Sequence, residues 1–262
     1  MEWFTAGHSI YRTHSRTLEA ARERFQVIGM GYPNSVDEAG RRVFDEFVEI
    51  RQLYIADQLR EIRAAAEARR ADVLYMPSVG MFPITMYLTN LRLAPVQALA
   101  LGHPATTHSP EMDYVIVEDD YVGDPSCFSE KLLRLPKDGM PYRPSSAAAG
   151  LELKAVIRER PEIVQIAVAA TTMKLNPAFL STCARIASTT KTPVHFHFLT
   201  GQSVGLTHLQ VRRVIRQFLG NYATAYPEQA YPDYMRIISG MDLFINPFPF
   251  GNTNGIIDTV SA

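Results

Sequence analysis

Two segments carry residue types whose spacing suits anion chemistry. Gly251-Asn252-Thr253-Asn254-Gly255 lies between an apolar run and the start of a helical pattern, so its backbone N–H groups can converge with the positive end of a helix dipole behind them. Such a turn can cradle a diphosphate. Asp258, about one helical turn further on, is spaced to accept hydrogen bonds from vicinal ribose hydroxyls. Lys174, in Thr171-Thr172-Met173-Lys174, follows another apolar run, where an ammonium can reach the same crevice and stabilise charge building on a departing diphosphate. The same residues also fit plainer roles, a capped helix start with a structural glycine and a solvated loop lysine, and spacing alone leaves both open.

Other polar clusters point less sharply. His195 and His197 alternate along an apolar run and so project to one face of a strand, a spacing that suits a metal. No third ligand is evident, and we expect packed core or crevice walls instead. His103 and His108 sit in a loop after a strand, where either can hydrogen-bond a phosphate or move a proton near neutral pH. Glu118-Asp119-Asp120 has the look of a divalent-cation motif but reads equally as an acidic turn closing a strand. A lysine beside a helix dipole removes the need for a metal at the leaving group, so no metal and no cofactor are expected.

The elements that must position these residues alternate between strand and helix, the pattern of an α/β fold. Apolar positions at helical spacing across 38–69 predict one long or broken amphipathic helix. Strands are expected at 73–76, 96–101, 113–117 and 131–135, with a helix at 82–90. The Pro- and Ser/Ala-rich run 136–150 reads as a linker, which divides the chain into residues 1–140 and 141–262. The second part is expected to run helix 151–159, strand 163–170, helix 177–189, strand 194–198, helices 207–218 and 230–239, strand 243–246 and a helix from residue 254. Ile- and Val-rich strands each followed by a helix imply a parallel sheet, whose ligands gather at the carboxyl ends of the strands. Both anion-suited turns fall at such ends.

Composition narrows the classes of partner. With 26 Lys plus Arg against 27 Asp plus Glu and no basic block, nucleic acid is not expected as a partner. No apolar stretch is long enough to span a bilayer and the start lacks a signal-peptide pattern, so no membrane partner and a cytoplasmic location are expected. Cys127 and Cys183 match no metal spacing and read as buried thiols in a reducing compartment.

Longer runs carry a resemblance. The stretch His8 to His14, Gly102 to Ser109, Asp113 to Gly123, Leu132 to Asp138, Thr171 to Pro177, His195 to Phe198 and Asn246 to Asp258, in that order, resemble the bacterial N-glycosyltransferases that modify high-molecular-weight adhesins. These are members of glycosyltransferase family 41, with O-linked N-acetylglucosamine transferases as distant relatives. The resemblance implies a two-Rossmann (GT-B) fold. It also implies a metal-independent, inverting transfer of glucose from UDP-glucose to Asn side chains of Asn-X-Ser/Thr sequons in a protein acceptor such as an adhesin. Carried over position by position, it makes Thr171 and Lys174 contacts of the UDP phosphates and Gly251, Asn252, Thr253 and Asn254 their cradle. Asp258 becomes the ribose-binding aspartate, and His8 and His103 the histidines beside donor and acceptor.

Two departures accompany it. Where the family usually carries histidines after its Ala-Thr-Ala, this chain has Tyr226-Pro227-Glu228-Gln229, so a carboxylate that repels phosphate stands where a nucleotide contact is expected. Family members are also considerably longer, so the chain is expected to be a fragment, beginning inside the first half and ending inside the second. Three rivals remain at this level. One is a catalytically silent nucleotide-sugar-binding piece, another is a relative that uses another UDP-hexose or makes O-linked products, and the third is a purely structural role.

Overall fold

The computed structural model describes all residues except 101, 103, 104, 137, 138, 140 and 155–157. The chain divides into two compact units, Met1–Ser146 and Ala147–Ala262. Each is α/β with parallel strands.

The first unit runs α1 (Ser9–Ala21), β1 (Ile28–Gly31), α2 (Glu38–Arg41), β2 (Glu46–Glu49), α3 (Ile55–Ala68), β3 (Val73–Met76), α4 (Pro83–Leu88), β4 (Val96–Ala100), β5 (Tyr114–Glu118) and β6 (Lys131–Leu135). β1 pairs with β2, and the other four strands form a parallel sheet in sequence order. Phe4, Ile10, Val36 and Val43 pack into one buried cluster and Leu99, Val115, Val117 and Ile62 into another.

The long helix expected over 38–69 is not formed. Residues 46–49 are a strand in register with β1, Phe47 opposite Gly29. Helical spacing at Val43, Phe44, Phe47 and Val48 is overridden by pairing, because a β-branched and an aromatic residue gain more on a pleated surface beside a partner strand. The strand's ends are held by charge: Asp45 accepts the Val27 N–H at 2.9 Å, and Arg41 pairs with Glu49 at 2.6 Å. Part of the proline-rich run is held too. The Arg143 N–H donates to the Arg12 carbonyl at 2.7 Å and its guanidinium to Ser15 Oγ at 2.8 Å, which lays this segment along α1.

The second unit runs β7 (Val164–Ala169), α5 (Pro177–Thr189), β8 (Val194–Leu199), α6 (Gly205–Leu219), β9 (Ala223–Tyr226), α7 (Tyr231–Ser239), β10 (Leu243–Phe244) and α8 (Thr253–Ser261). Its strands lie in the order β10-β7-β8-β9, all parallel. Phe196 and Phe198, fully buried, face Phe179, Leu180 and Cys183 of α5 and Ile215 and Leu219 of α6. Each such phenyl ring removed from water contributes about 1.5–3 kcal/mol. On the opposite face Ala169 and Leu199 pack with Ile238 of α7.

Two further expectations need correction. Residues 151–154, 158 and 159 are not helical; Arg158 instead pairs with Asp242 at 2.8 Å, just ahead of β10, and an ion pair to a distant segment replaces local helical bonding. Cys127 is exposed, in a short turn after Asp124, whereas Cys183 is buried and its thiol pKa is pushed up to about 12 by loss of water.

Candidate functional site

The strand order places a reversal beside β7. From β7 the chain steps outward through β8 to β9, then returns to lay β10 on the other side of β7. Connections leaving β7 and β10 therefore diverge, and in open α/β sheets the crevice at such a switch point, outside the carboxyl ends of the strands, is where ligands bind. The turn 170–176 leaves β7 there, and the loop 245–252 leaves β10 there.

Lys174 closes a single 3-10 turn after β7. Asn176 then starts α5, its Oδ1 accepting the Phe179 N–H at 3.0 Å, with Pro177 in the first turn, where a missing N–H costs nothing. The same side chain donates through Nδ2 to the Phe248 carbonyl at 2.6 Å, so one asparagine joins the two loops. The Lys174 ammonium donates to the Gly251 carbonyl at 2.7 Å and to Asn252 Oδ1, and lies 4.7 Å from the centre of the Phe250 ring. It is half-buried, and the loss of water lowers its pKa from the ordinary lysine value. No carboxylate pairs with it among the described residues.

Asn252 precedes α8. Its Nδ2 donates to the Ala169 carbonyl at the end of β7, and its N–H is taken by Asn246 Oδ1 at 2.8 Å. The first helical bond of α8 runs from the Ile256 N–H to the Asn252 carbonyl. The N–H groups of Thr253, Asn254 and Gly255 are thus left without a partner among the described residues, at the positive end of the helix. Two buried oxygens, Thr171 Oγ1 and Asn254 Oδ1, also have no partner among the described residues. An unsatisfied buried oxygen costs about 1–3 kcal/mol, which a bound ligand with hydroxyl or N–H groups would relieve. Gly255 packs close, since a Cβ there would stand 3.3 Å from the Phe244 ring.

Asp258, one turn into α8, is 5% exposed and accepts the Tyr231 hydroxyl at 2.8 Å. Thr171, Lys174, Gly251, Asn252, Thr253, Asn254 and Asp258 accordingly come from two loops and one helix that meet at adjacent strand ends. One detail differs from the sequence reading: Asn252 offers its N–H to Asn246, not to the crevice. Asn246, Asn176, Phe250 and Tyr231 take part in this arrangement without a motif to announce them. An asparagine directly before proline at a strand end, followed by a glycine five residues later, is the only signal in the chain that marks Asn246.

The remaining candidates belong to other elements. His8 belongs to the first unit and caps α1, its Nδ1 accepting the Ile10 N–H at 3.3 Å; burial lowers its pKa. His103 lies outside the described residues. His108 has a positive φ of 54°, and its N–H donates to Ser129 Oγ at 3.1 Å. His195 meets Thr224 Oγ1 at 2.8 Å; His197 meets the Tyr226 hydroxyl at 2.9 Å and Gln165 Oε1 at 2.5 Å. Burial and the neighbouring His195 lower the pKa of His197 to about 4. A neutral ring with both nitrogens so engaged has no lone pair left for a metal, and the described residues gather no cluster of three ligating side chains. These histidines face away from the Phe196 and Phe198 core, half-buried. The acidic run is a short turn, with Arg134 donating to Asp119 at 3.0 Å. Glu228 is exposed, in the loop that leaves β9, and its N–H donates to the Ser203 carbonyl at 3.0 Å.

No protein-family model matches the chain. Over 261 residues it is 54% identical to each of two proteins named UDP-glucose:protein N-beta-glucosyltransferase, from Actinobacillus pleuropneumoniae serotypes 5b and 7. The match takes in 100% of this chain but 42% of each relative, so the chain spans less than half of their length. Among solved structures, a mutant O-GlcNAc transferase of Thermobaculum terrenum superposes with a TM-score of 0.75 over 98% of this chain and 50% of that one, at 16% identity. The parallel-stranded α/β fold of GT-B type expected from the sequence is the fold these units share with it. No described helix is long and apolar enough to cross a membrane.

Proposed function

We propose that this chain carries the nucleotide-sugar site of a protein glucosyltransferase. On this reading it transfers glucose from UDP-glucose to the side-chain nitrogen of Asn in Asn-X-Ser/Thr sequons, with inversion at the anomeric carbon and no metal. The observation that carries the reading is the pairing of the half-buried Lys174 ammonium with the three open N–H groups of α8 at the β7/β10 switch point. The printed names of the two relatives point to the same donor and to a protein acceptor.

A diphosphate entering the crevice meets the Thr253, Asn254 and Gly255 N–H groups and can draw the Lys174 ammonium away from the Gly251 carbonyl. Thr171 Oγ1 and Asn254 Oδ1, both buried without partners among the described residues, gain partners in the ligand. As the bond between the anomeric carbon and the diphosphate oxygen breaks, negative charge grows on UDP. A cation and aligned N–H groups fixed beforehand stabilise that charge without reorganising, which is where most of the rate gain of such sites arises. The acceptor nitrogen attacks from the opposite face and gives up one N–H proton to solvent, and the attack inverts the anomeric configuration. Asp258 is assigned to the ribose hydroxyls. A cytoplasmic site of action belongs to the same proposal, because an exposed thiol such as Cys127 persists reduced there.

The deciding experiment incubates the full-length polypeptide carrying these residues with UDP-glucose and a sequon peptide, with and without EDTA. The reading expects addition of one hexose to the Asn in both cases, and a β-linkage by NMR. UDP binding without transfer to any acceptor would instead favour a nucleotide-sugar-binding protein, and transfer from UDP-galactose or UDP-N-acetylglucosamine in preference to UDP-glucose would correct the donor.

A further inference from the structure

The excursion from Asn246 to Asn252 leaves the end of β10 and returns to start α8. Pro247 and Pro249 have no N–H to brace it, and the bond that closes it comes from Asn246, whose Oδ1 accepts the Asn252 N–H at 2.8 Å. The Asn246 amide also lies against Gly251. A Cβ on Gly251 would fall inside contact distance of Asn246 Nδ2 and 3.1 Å from its Cγ. Gly251 does not adopt the left-handed conformation that otherwise demands glycine; the space taken by Asn246 is what excludes a side chain there.

That closure fixes both groups that hold the Lys174 ammonium. The Gly251 carbonyl and Asn252 Oδ1 are its two hydrogen-bond acceptors, and Asn252 is oriented unambiguously, since its Nδ2 donates to the Ala169 carbonyl while its Oδ1 faces a group that can only donate. We propose that Asn246 is a positioning residue for Lys174, setting the ammonium's place in the crevice through Gly251 and Asn252 without touching either it or the donor. The inference rests on the donor-site reading above and adds to it a group that acts at one remove. It also explains why Asn252 offers no N–H to an anion: that N–H is spent on building the turn.

The test is a double-mutant cycle in the full-length polypeptide, read by kcat/KM for UDP-glucose and by UDP affinity. Asn246→Ala is expected to lower kcat/KM by about 10–100-fold, the scale of an ångström-level misplacement. In a Lys174→Ala background the same change should cost no more than about two-fold, because no positioned cation remains to be lost. Gly251→Ala, which pushes on the Asn246 amide without removing it, should behave the same way in both backgrounds and stands in if Asn246→Ala fails to melt cooperatively. Losses that multiply in full for both variants would mean that Asn246 acts independently of Lys174, and the inference would fall. A wild-type protein that neither binds UDP nor transfers glucose would sink the donor-site reading as well, whereas an active wild type with additive losses sinks the positioning role alone.

Discussion

The Lys174 ammonium donates to the Gly251 carbonyl at 2.7 Å, so the cation that follows β7 is held by the turn that follows β10. The two loops that diverge at the switch point are thereby joined by the group best suited to meet an anion between them. Among the described residues that ammonium meets neutral acceptors, the Gly251 carbonyl and Asn252 Oδ1, and an incoming diphosphate offers it a stronger, charged partner.

Replacing Lys174 by Ala should therefore lower kcat by about 10²–10³-fold, the loss typical of one preorganised donor, with little effect on the melting temperature. The pH dependence follows from its burial. Because desolvation lowers the lysine pKa, kcat/KM should fall on the alkaline side earlier than an exposed lysine would allow, as the free enzyme loses the charge. Lys174→Arg should move that fall out of the measurable range even where it costs turnover. A pH profile unchanged by Lys174→Arg would detach the limb from Lys174.

The Tyr231 hydroxyl donates to the Asp258 carboxylate at 2.8 Å, which leaves the acid buried but aimed. If that carboxylate takes a ribose hydroxyl, 2′-deoxy-UDP should bind wild type several-fold more weakly than UDP, and Asp258→Ala should bind both equally. Tyr231→Phe should lie between the two. Calorimetric titration of the three proteins with the two nucleotides makes the comparison; equal discrimination in Asp258→Ala would move the ribose elsewhere.

How much of this was legible in sequence depends on what holds each part. The strands at 164–169 and 194–199 could be read because Ile, Val and Phe runs buried in a parallel sheet have few other uses, and the turns after β7 and β10 could be placed because strand ends follow from strands. β2 could not, since Glu46-Phe47-Val48-Glu49 becomes a strand only beside β1. Nor could β9, four residues long with only half-buried or exposed positions. The roles of Asn246 and Asn252 were hidden for a related reason: a side-chain amide closing onto a backbone N–H six residues away leaves no periodic trace. Cys127 departs from expectation because a lone thiol is buried by default and nothing local in the sequence shows its turn at the surface.

Glu228 supplies a third prediction. It is exposed in the loop after β9, and β9 lies two strands from β7, roughly 10 Å at the usual spacing. A carboxylate at that range repels a bound diphosphate weakly through water. Glu228→Gln should tighten UDP binding by about two-fold to several-fold at low salt, and Glu228→His should tighten it further below the histidine pKa. The gain should vanish near 1 M salt, where the Debye length is about 3 Å. Titration across salt concentrations checks it; a gain that survives high salt would have a cause other than long-range charge.

The first unit should be acid-sensitive because of one buried ring. His14 is 1% exposed, its Nδ1 lies 3.1 Å from the Tyr75 hydroxyl, and burial lowers its pKa to about 4. An unfolded histidine titrates near 6.5. Above about pH 6.5 both states are neutral and the shift has no effect. Between about 6.5 and 4 the unfolded chain takes up a proton that the native ring refuses, so stability falls with pH at up to about 1.4 kcal/mol per unit, some 3 kcal/mol in all. Trp3, the single tryptophan, lies in this unit, so urea unfolding followed by its fluorescence at pH 7 and pH 5 should show a loss of about 2 kcal/mol. His14→Gln should flatten that dependence, since an amide cannot titrate. If the variant keeps the full acid sensitivity of the wild type, the proton goes elsewhere, with His8, whose pKa burial also lowers, the next group to replace.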